Sequence, residues 1–291
     1  MTNEMLAAID FTRLGLDPVA LSIGPFDLRW YSLAYLAGIF AGYWYMLKLL
    51  AQPGAPMAKR HAEDLVFWAS LGIILGGRLG YVLFYKPGFY FENPLEILKL
   101  WDGGMSFHGG AIGTSVAILY LSWKEKLGWL RIHDYVACVV PIGLFTGRLA
   151  NFVNAELWGA PSSLPWAVRF PEIVAGIKVL GPPRHPSQLY EAALEGLLLF
   201  AILALMFWKS RARYQPGMLV GAFVFFYGTF RFGVEYVREP DDHLREFAAT
   251  TGLHMGQWLC VPMILGGIYL MATARGRRQR IEPIAGQESV A

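Results

Sequence analysis

The chain of 291 residues is poor in cysteine and in charge: two cysteines, Cys138 and Cys260, and 16% charged residues. Each cysteine sits in an apolar segment, which excludes a disulfide framework and leaves two unpaired core thiols. So few charges exclude an ordinary soluble domain. The net charge of +3 is accounted for by short basic loops and a basic tail, so nucleic acid is not an expected partner. Signatures are missing as well. No Gly-x-Ser-x-Gly surrounds Ser106, and the chain has no His-Glu-x-x-His, paired Cys-x-x-Cys or Walker sequence. Serine-hydrolase, metal and nucleotide chemistry therefore have no support, and no cofactor is expected. No basic region precedes the first apolar run and no small-residue cleavage site follows it, so that run is expected to stay as an uncleaved span. Tandem repeats and low-complexity tracts are absent too.

What the chain does have is apolar surface. Hydrophobic residues make up 55% and aromatic residues 15%, in runs of roughly 20 that recur along the sequence. The expectation is an all-α polytopic membrane protein, a single integral domain of seven transmembrane helices. The spans fall near 19–47, 62–85, 106–122, 134–150, 188–208, 217–237 and 255–273. Pro141 and several glycines interrupt the fourth span, which neighbouring helices can tolerate in a bilayer. Segment 151–187 carries Pro161, Pro165, Pro171, Pro182, Pro183 and Pro186, cannot be one helix, and is expected to fold over one face of the bundle. Segments 48–61, 123–133, 209–216 and 274–291 hold 13 Lys and Arg in 51 residues, against nine in 103 for the alternate segments. Positive-inside reasoning then places the amino terminus outside and the carboxyl terminus, a disordered tail over 274–291, in the cytoplasm.

Chemistry must come from ionisable groups at bilayer depth, where each charge costs about 2.5–3.5 kcal/mol and needs a partner or a watery cavity. Arg78, Arg148, Arg231 and Glu235 lie within or at the edge of spans. Arg231 and Glu235 are four apart, with Arg238 one further turn along, so one helical face carries all three. Arg148 is three residues before Asn151, and its span carries Asn151, Asn154 and Glu156 to the outer surface. His108, in Gly104-Met-Ser-Phe-His-Gly-Gly110, opens an inward-running span. Guanidinium groups at headgroup depth suit a phosphate, and a nearby His or Glu can move a proton at neutral pH.

Structural explanations stand beside these. Arg231 with Glu235 could be a buried structural ion pair, and Arg78 is as readily a packing or topology residue as a headgroup contact. Glu191 and Glu195 fit a helix start favoured by the macrodipole as easily as a site. Trp30, Tyr31, Trp101, Trp158 and Trp166 suit interfacial anchoring. A transporter or a membrane scaffold would also use buried charges.

Five strings then carry a resemblance: Gly-Gly-Arg-Leu-Gly-Tyr (76–81), Trp-Asp-Gly-Gly-Met-Ser-Phe-His-Gly-Gly (101–110), Gly-Arg-Leu-Ala-Asn-Phe-Val-Asn-Ala-Glu-Leu-Trp-Gly (147–159), Arg-His-Pro-Ser-Gln-Leu-Tyr-Glu (184–191) and Tyr-Gly-Thr-Phe-Arg-Phe-Gly-Val-Glu (227–235). In this order, from about Ser22 to Gly267, the chain resembles the bacterial prolipoprotein diacylglyceryl transferases. Ala150 and Ala155 depart from the pattern, where glycine would be expected. The resemblance implies a seven-span inner-membrane enzyme that moves the diacylglyceryl group of phosphatidylglycerol onto the lipobox cysteine of a preprolipoprotein and releases glycerol phosphate. Carried over by motif, Arg148 and Arg231 hold the phosphate, with Asn151, Glu156 and Gly159 shaping the site. His108 is the first candidate for the base, Glu235 orients Arg231 or shares proton transfer, and Tyr31, Tyr227 and Arg78 are headgroup contacts. The implied partners are phosphatidylglycerol, the lipobox peptide and the bilayer.

Overall fold

A computed structural model of the chain describes residues 8–24, 26–100, 103–174, 176–239 and 250–278. Trp101 and Asp102 of the second string and residues 279–291 of the expected tail lie outside the described residues. The helices are α1 (Trp30–Leu50), α2 (Arg60–Phe84), α3 (Pro87–Glu92), α4 (Phe107–Lys124), α5 (Trp129–Val153), α6 (Ser187–Lys209), α7 (Met218–Val234) and α8 (Met255–Ala274). The strands are β1 (Ile9–Asp10), β2 (Val19–Ile23), β3 (Phe26–Arg29), β4 (Val168–Val174) and β5 (Ile177–Arg184). The described residues form two compact units, the first within Met1–Trp44 and Val136–Arg278 and the second Tyr45–Tyr135.

Six helices among the described residues are long and apolar enough to cross a membrane: α1, α2, α5, α6, α7 and α8. Their outward faces are apolar: Phe40 is 68% exposed, Leu83 62%, Leu205 61% and Leu265 61%. Unpartnered bands of this kind are what hydrocarbon accepts and water does not. Pro141 sits inside α5 and Pro262 inside α8 without ending either helix.

The seventh expected span, 106–122, is a helix but is not among those six. Its 18 residues reach about 27 Å at about 1.5 Å per residue. In the second unit α4 runs antiparallel to α2 along most of its length, because glycines let the two backbones touch. Gly80 faces Gly109, Gly76 faces Gly109 and Gly113, and Gly72 faces Gly113 and Ala117. Further along, Trp68 meets Tyr120 edge-on at 4.7 Å, and the buried His61 lies 3.6 Å from Glu125. Small residues at such crossings are the membrane solution to helix packing, where lipid offers no hydrophobic drive.

The first expected span starts too early. Residues 19–29 form the antiparallel hairpin β2–β3, with Leu21 opposite Leu28 and Ile23 opposite Phe26, and α1 begins only at Trp30. Asp27 accepts from the Ser22 hydroxyl across the hairpin at 2.7 Å, and the mostly apolar run changes from strand to helix at Trp30. The helical, polytopic membrane fold holds, and two small sheets are added to it. The second sheet forms in the Pro-rich segment, where β4 and β5 pair antiparallel from Val168↔Arg184 to Val174↔Ile177, and β1 adds in parallel to β4. Pro182 and Pro183 lie on the edge strand β5, and Pro171 sits at the register shift in β4, beyond the two residues that β1 pairs. Phe11, Val168 and Phe170 form its core, with Phe152 and Trp158 packed against it, and Trp158 stacks on Phe170 at 5.6 Å. This core ties the carboxyl end of α5 to the ribbon. The first residues of the expected tail are structured: Ala274 ends α8, Arg275–Arg277 is a 3-10 turn, and Arg277 donates to the carbonyls of Pro216 and Leu270.

At Gly113 an added Cβ would overlap the Gly72 carbonyl. Gly113→Val is expected to cost about 1–3 kcal/mol or more, read as a lowered midpoint of thermal unfolding in detergent. An unchanged midpoint would contradict the α2–α4 contact.

Candidate phosphate site

Within the first unit, α5, α6 and α7 bring three arginines to one buried carboxylate. Glu191, with no exposed side-chain surface, receives Arg148 Nε at 2.6 Å, Arg231 Nη1 at 3.1 Å and Arg238 Nη1 at 2.5 Å. Glu235 binds the outer side of the cluster: Arg231 Nη2 lies 2.9 Å and Arg238 Nε 3.8 Å from its Oε2, and His254 Nδ1 is 3.7 Å from Oε1. Glu195, one turn beyond Glu191, stands 3.9 Å from Arg148 Nη2. The helical spacing of Arg231, Glu235 and Arg238 is realised as three groups on one face, with Val234 ending the α-helix and Glu235–Val237 tightening into a 3-10 turn.

Each arginine is pinned by carboxylates without being consumed. A guanidinium carries five N–H donors, and Arg148 and Arg231 use only some of them on Glu191 and Glu235 while each side chain stays 19% exposed. Such fixed, partly open donors match a phosphate and need little reorganisation to take one.

The expected neighbours fall in two places. Tyr227, on α7 with its ring stacked on Phe223 at 5.7 Å, lies within electrostatic range of Glu195, Arg231 and Arg148. Tyr31, the second residue of α1, shares a 3.1 Å hydroxyl contact with Tyr35 and is within electrostatic range of Glu156 and Arg148. Asn151, at the end of α5 and buried, donates to Glu156 Oε1 at 2.7 Å, and Asn154 reaches the same oxygen at 3.4 Å. Gln188 Nε2 donates to the Glu156 carbonyl at 2.5 Å, which ties this turn to the start of α6. Ala155 has φ +53 and Leu157 φ +56, so the turn that presents Glu156 is built from left-handed backbone.

Gly159 plays a packing part. Its amide donates to the His185 carbonyl at 2.9 Å, and an added Cβ would strike Val237 O and His185, so only glycine lets 159 lie between the two segments. Beside it Arg184 is held by Glu239 at 2.6 Å and Glu172 at 3.3 Å, which fastens the ribbon to the chain leaving α7. His185 itself, outside the spans, is held below its ordinary pKa of 6.5 by burial and so favours the neutral imidazole.

Arg78 and His108 belong to the other unit. Arg78 is buried and spends all five donors on main-chain carbonyls: Nε on Ile97 at 2.8 Å, Nη1 on Gly103 and Gly104, and Nη2 on Glu96 and Lys99. Tyr90 lies under the guanidinium at 5.2 Å. The side chain therefore works as a clamp on the loop between α2 and α4, with no donor left over for a headgroup. His108 is the second residue of α4, exposed, one turn from the cap in which Ser106 Oγ accepts from the Gly109 amide.

Glu191, Glu195 and Arg238 were the residues that sequence reasoning undervalued. Their signal is position: the two glutamates open an otherwise apolar helix, and α6 becomes π-helical over Ala192–Leu198 right after Glu191, a distortion that marks functional sites more often than chance.

Comparison with known proteins identifies the family. The family model described as prolipoprotein diacylglyceryl transferase matches residues 18–273. The chain belongs to the prolipoprotein diacylglyceryl transferase family. Similar relatives bear the name phosphatidylglycerol–prolipoprotein diacylglyceryl transferase. That of Zymomonas mobilis is 52% identical over 94% of this chain and 96% of its own length. The Erythrobacter litoralis relative is 50% identical over 97% and 98%, and the Bordetella parapertussis relative 50% identical over 89% and 96%. Both alanine departures from the family strings lie on α5 or just beyond it, and they are not equivalent: Ala150 is helical, whereas Ala155 occupies the left-handed position after a helix end where glycine is commonest. Ala155→Gly is expected to raise stability by up to about 1 kcal/mol and Ala155→Val to lower it by more, measured by thermal melts; a lower midpoint for the glycine variant would refute strain at this turn.

Proposed function

We propose that the chain transfers the diacylglyceryl group of phosphatidylglycerol to the lipobox cysteine of preprolipoproteins, the first step of lipoprotein maturation. The observation that carries this reading is the set of three partly exposed arginines fixed on Glu191. In the reaction the cysteine thiol loses its proton and its sulfur attacks the glycerol carbon that bears the phosphate. The S–C bond forms, the C–O bond breaks, and the electron pair leaves on the phosphate oxygen of glycerol phosphate. Charge grows on that oxygen in the transition state, and Arg148 and Arg231 are the donors suited to meet it. Glu191 and Glu235 set where those guanidinium groups point. Tyr31, Tyr227 and the Asn151–Glu156 pair line the approach to the headgroup.

His108 is the proposed base, or the residue that orients the thiol if the arginines acidify it enough on their own. The protein is placed in the bacterial inner membrane with α4 as the seventh span, which the glycine seam along α2 supports. Seven spans put the amino terminus in the periplasm and the carboxyl terminus in the cytoplasm, in agreement with the distribution of basic residues.

Purified protein in phosphatidylglycerol micelles, given a lipobox peptide, should yield a diacylglyceryl adduct on cysteine by mass spectrometry. Arg148→Ala and Arg231→Ala are each expected to cut the rate by at least about 100-fold; either variant, normally folded, that kept most of the activity would remove its arginine from the site. For His108→Asn the expectation is a loss of about 100-fold with a changed pH–rate profile, and a mild effect with the wild-type profile would dismiss it as base.

A further inference from the structure

Glu195 stands at the arginine cluster of the first unit. Glu195 has no exposed surface, and among the described residues neither carboxyl oxygen has a hydrogen-bond partner. Its surroundings come from four elements. Glu191 is one turn earlier on α6, Arg148 Nη2 approaches from α5 to 3.9 Å, Tyr227, Arg231 and Arg238 act on it from α7 and the residues just after it, and Cys260 faces it from α8. Glu191 and Glu235 differ from it in kind, because each has arginine contacts at 3.1 Å or less.

An ionised carboxylate buried without a donor bears most of its desolvation cost uncompensated, and a like charge one turn away raises that cost. A neutral carboxylic acid in the same place costs far less. Charge counting gives this a consequence. The cluster holds three arginines and three glutamates; with all three glutamates ionised it would be neutral and would exert no net pull on an anion.

We infer that Glu195 is a protonated, neutral acid in the resting protein, so that the cluster carries one net positive charge, the complement of a single phosphodiester. Glu195 is thereby a specificity-determining residue. It favours lipids whose headgroup bears one net negative charge over zwitterionic ones, whose ammonium would meet the excess positive charge. The inference rests on the phosphate site proposed above and names what sets its charge.

The test uses the full-length protein in neutral-detergent micelles doped with phosphatidylglycerol or with a zwitterionic phospholipid, and reads lipid affinity from pH 7 upward. For wild type, affinity for phosphatidylglycerol should fall by about tenfold or more as Glu195 ionises, while Glu195→Gln should lose that fall, since glutamine stays neutral. Tyr227 and Cys260 remain in both proteins, so the difference between the two curves reports Glu195. The infrared spectrum of wild type should contain a protonated-carboxyl band that vanishes at alkaline pH and is missing in Glu195→Gln. The inference is overturned if both proteins show the same alkaline fall, or if Glu195→Gln binds phosphatidylglycerol about tenfold more tightly at pH 7, as adding a net charge to a neutral cluster would require. Absence of the infrared band in wild type overturns it without any variant. Failure of the underlying site looks different: wild type and Arg148→Ala would bind phosphatidylglycerol alike, while the band would still report the protonation of Glu195.

Discussion

The site depends on burying Glu191 among three arginines. In a low-dielectric interior a single carboxylate can hold one guanidinium as an ion pair, but here it holds Arg148, Arg231 and Arg238, which come from two helices and the turn that follows one of them. That excess keeps the arginines charged, close and partly unsatisfied, a state that is costly unless a ligand or water meets the remaining donors. An anion is the economical completion. The arrangement therefore joins stability and function in one feature, since the group that makes the arginines tolerable in the fold is the same group that aims them.

Everything near Glu191 serves to hold it still. The π-helical stretch Ala192–Leu198 follows it on α6, the Gly196 position lets Phe145 of α5 approach closely, and Ser187 and Gln188 bond to the carbonyls of Leu157 and Glu156. The aromatic core of Phe11, Phe152, Phe170 and Trp158 fixes the turn from which Glu156 projects. Preorganised donors are useful only when held rigid, and these contacts, all within the protein, hold them.

Part of this was legible in the sequence, for a physical reason. A charge in an apolar run is conspicuous because the bilayer makes it costly, so Arg148, Arg231 and Glu235 stood out, and the four-residue spacing of the last two predicted a pair that the fold makes at 2.9 Å. Glu191 did not stand out as the hub. Its helix-start position is explained equally well by local electrostatics, and Arg231 and Arg238 lie 40 and 47 residues away, beyond any periodicity. Arg78 was ambiguous because backbone carbonyls, which take all its donors, leave no mark in a sequence. The hairpin β2–β3 was absorbed into the first span because hydropathy records burial preference and not backbone shape; the Gly24-Pro25 pair was the available turn signal.

The second unit solves a different problem with the opposite chemistry. Where the first unit packs helices around charge, α2 and α4 pack around its absence, with Gly72, Gly76 and Gly80 against Gly109 and Gly113. Arg78 emerges from this seam and gathers the loop from Glu96 to Gly104 onto its guanidinium, and that loop leads directly into the Ser106 cap and His108. The position of His108 is thus fixed from both sides: by a glycine seam that sets where α4 begins relative to α2, and by an arginine that holds the incoming loop. The order of the second unit therefore runs from a backbone contact between two helices, through the carbonyls held by one guanidinium, to the exposed imidazole at the start of α4.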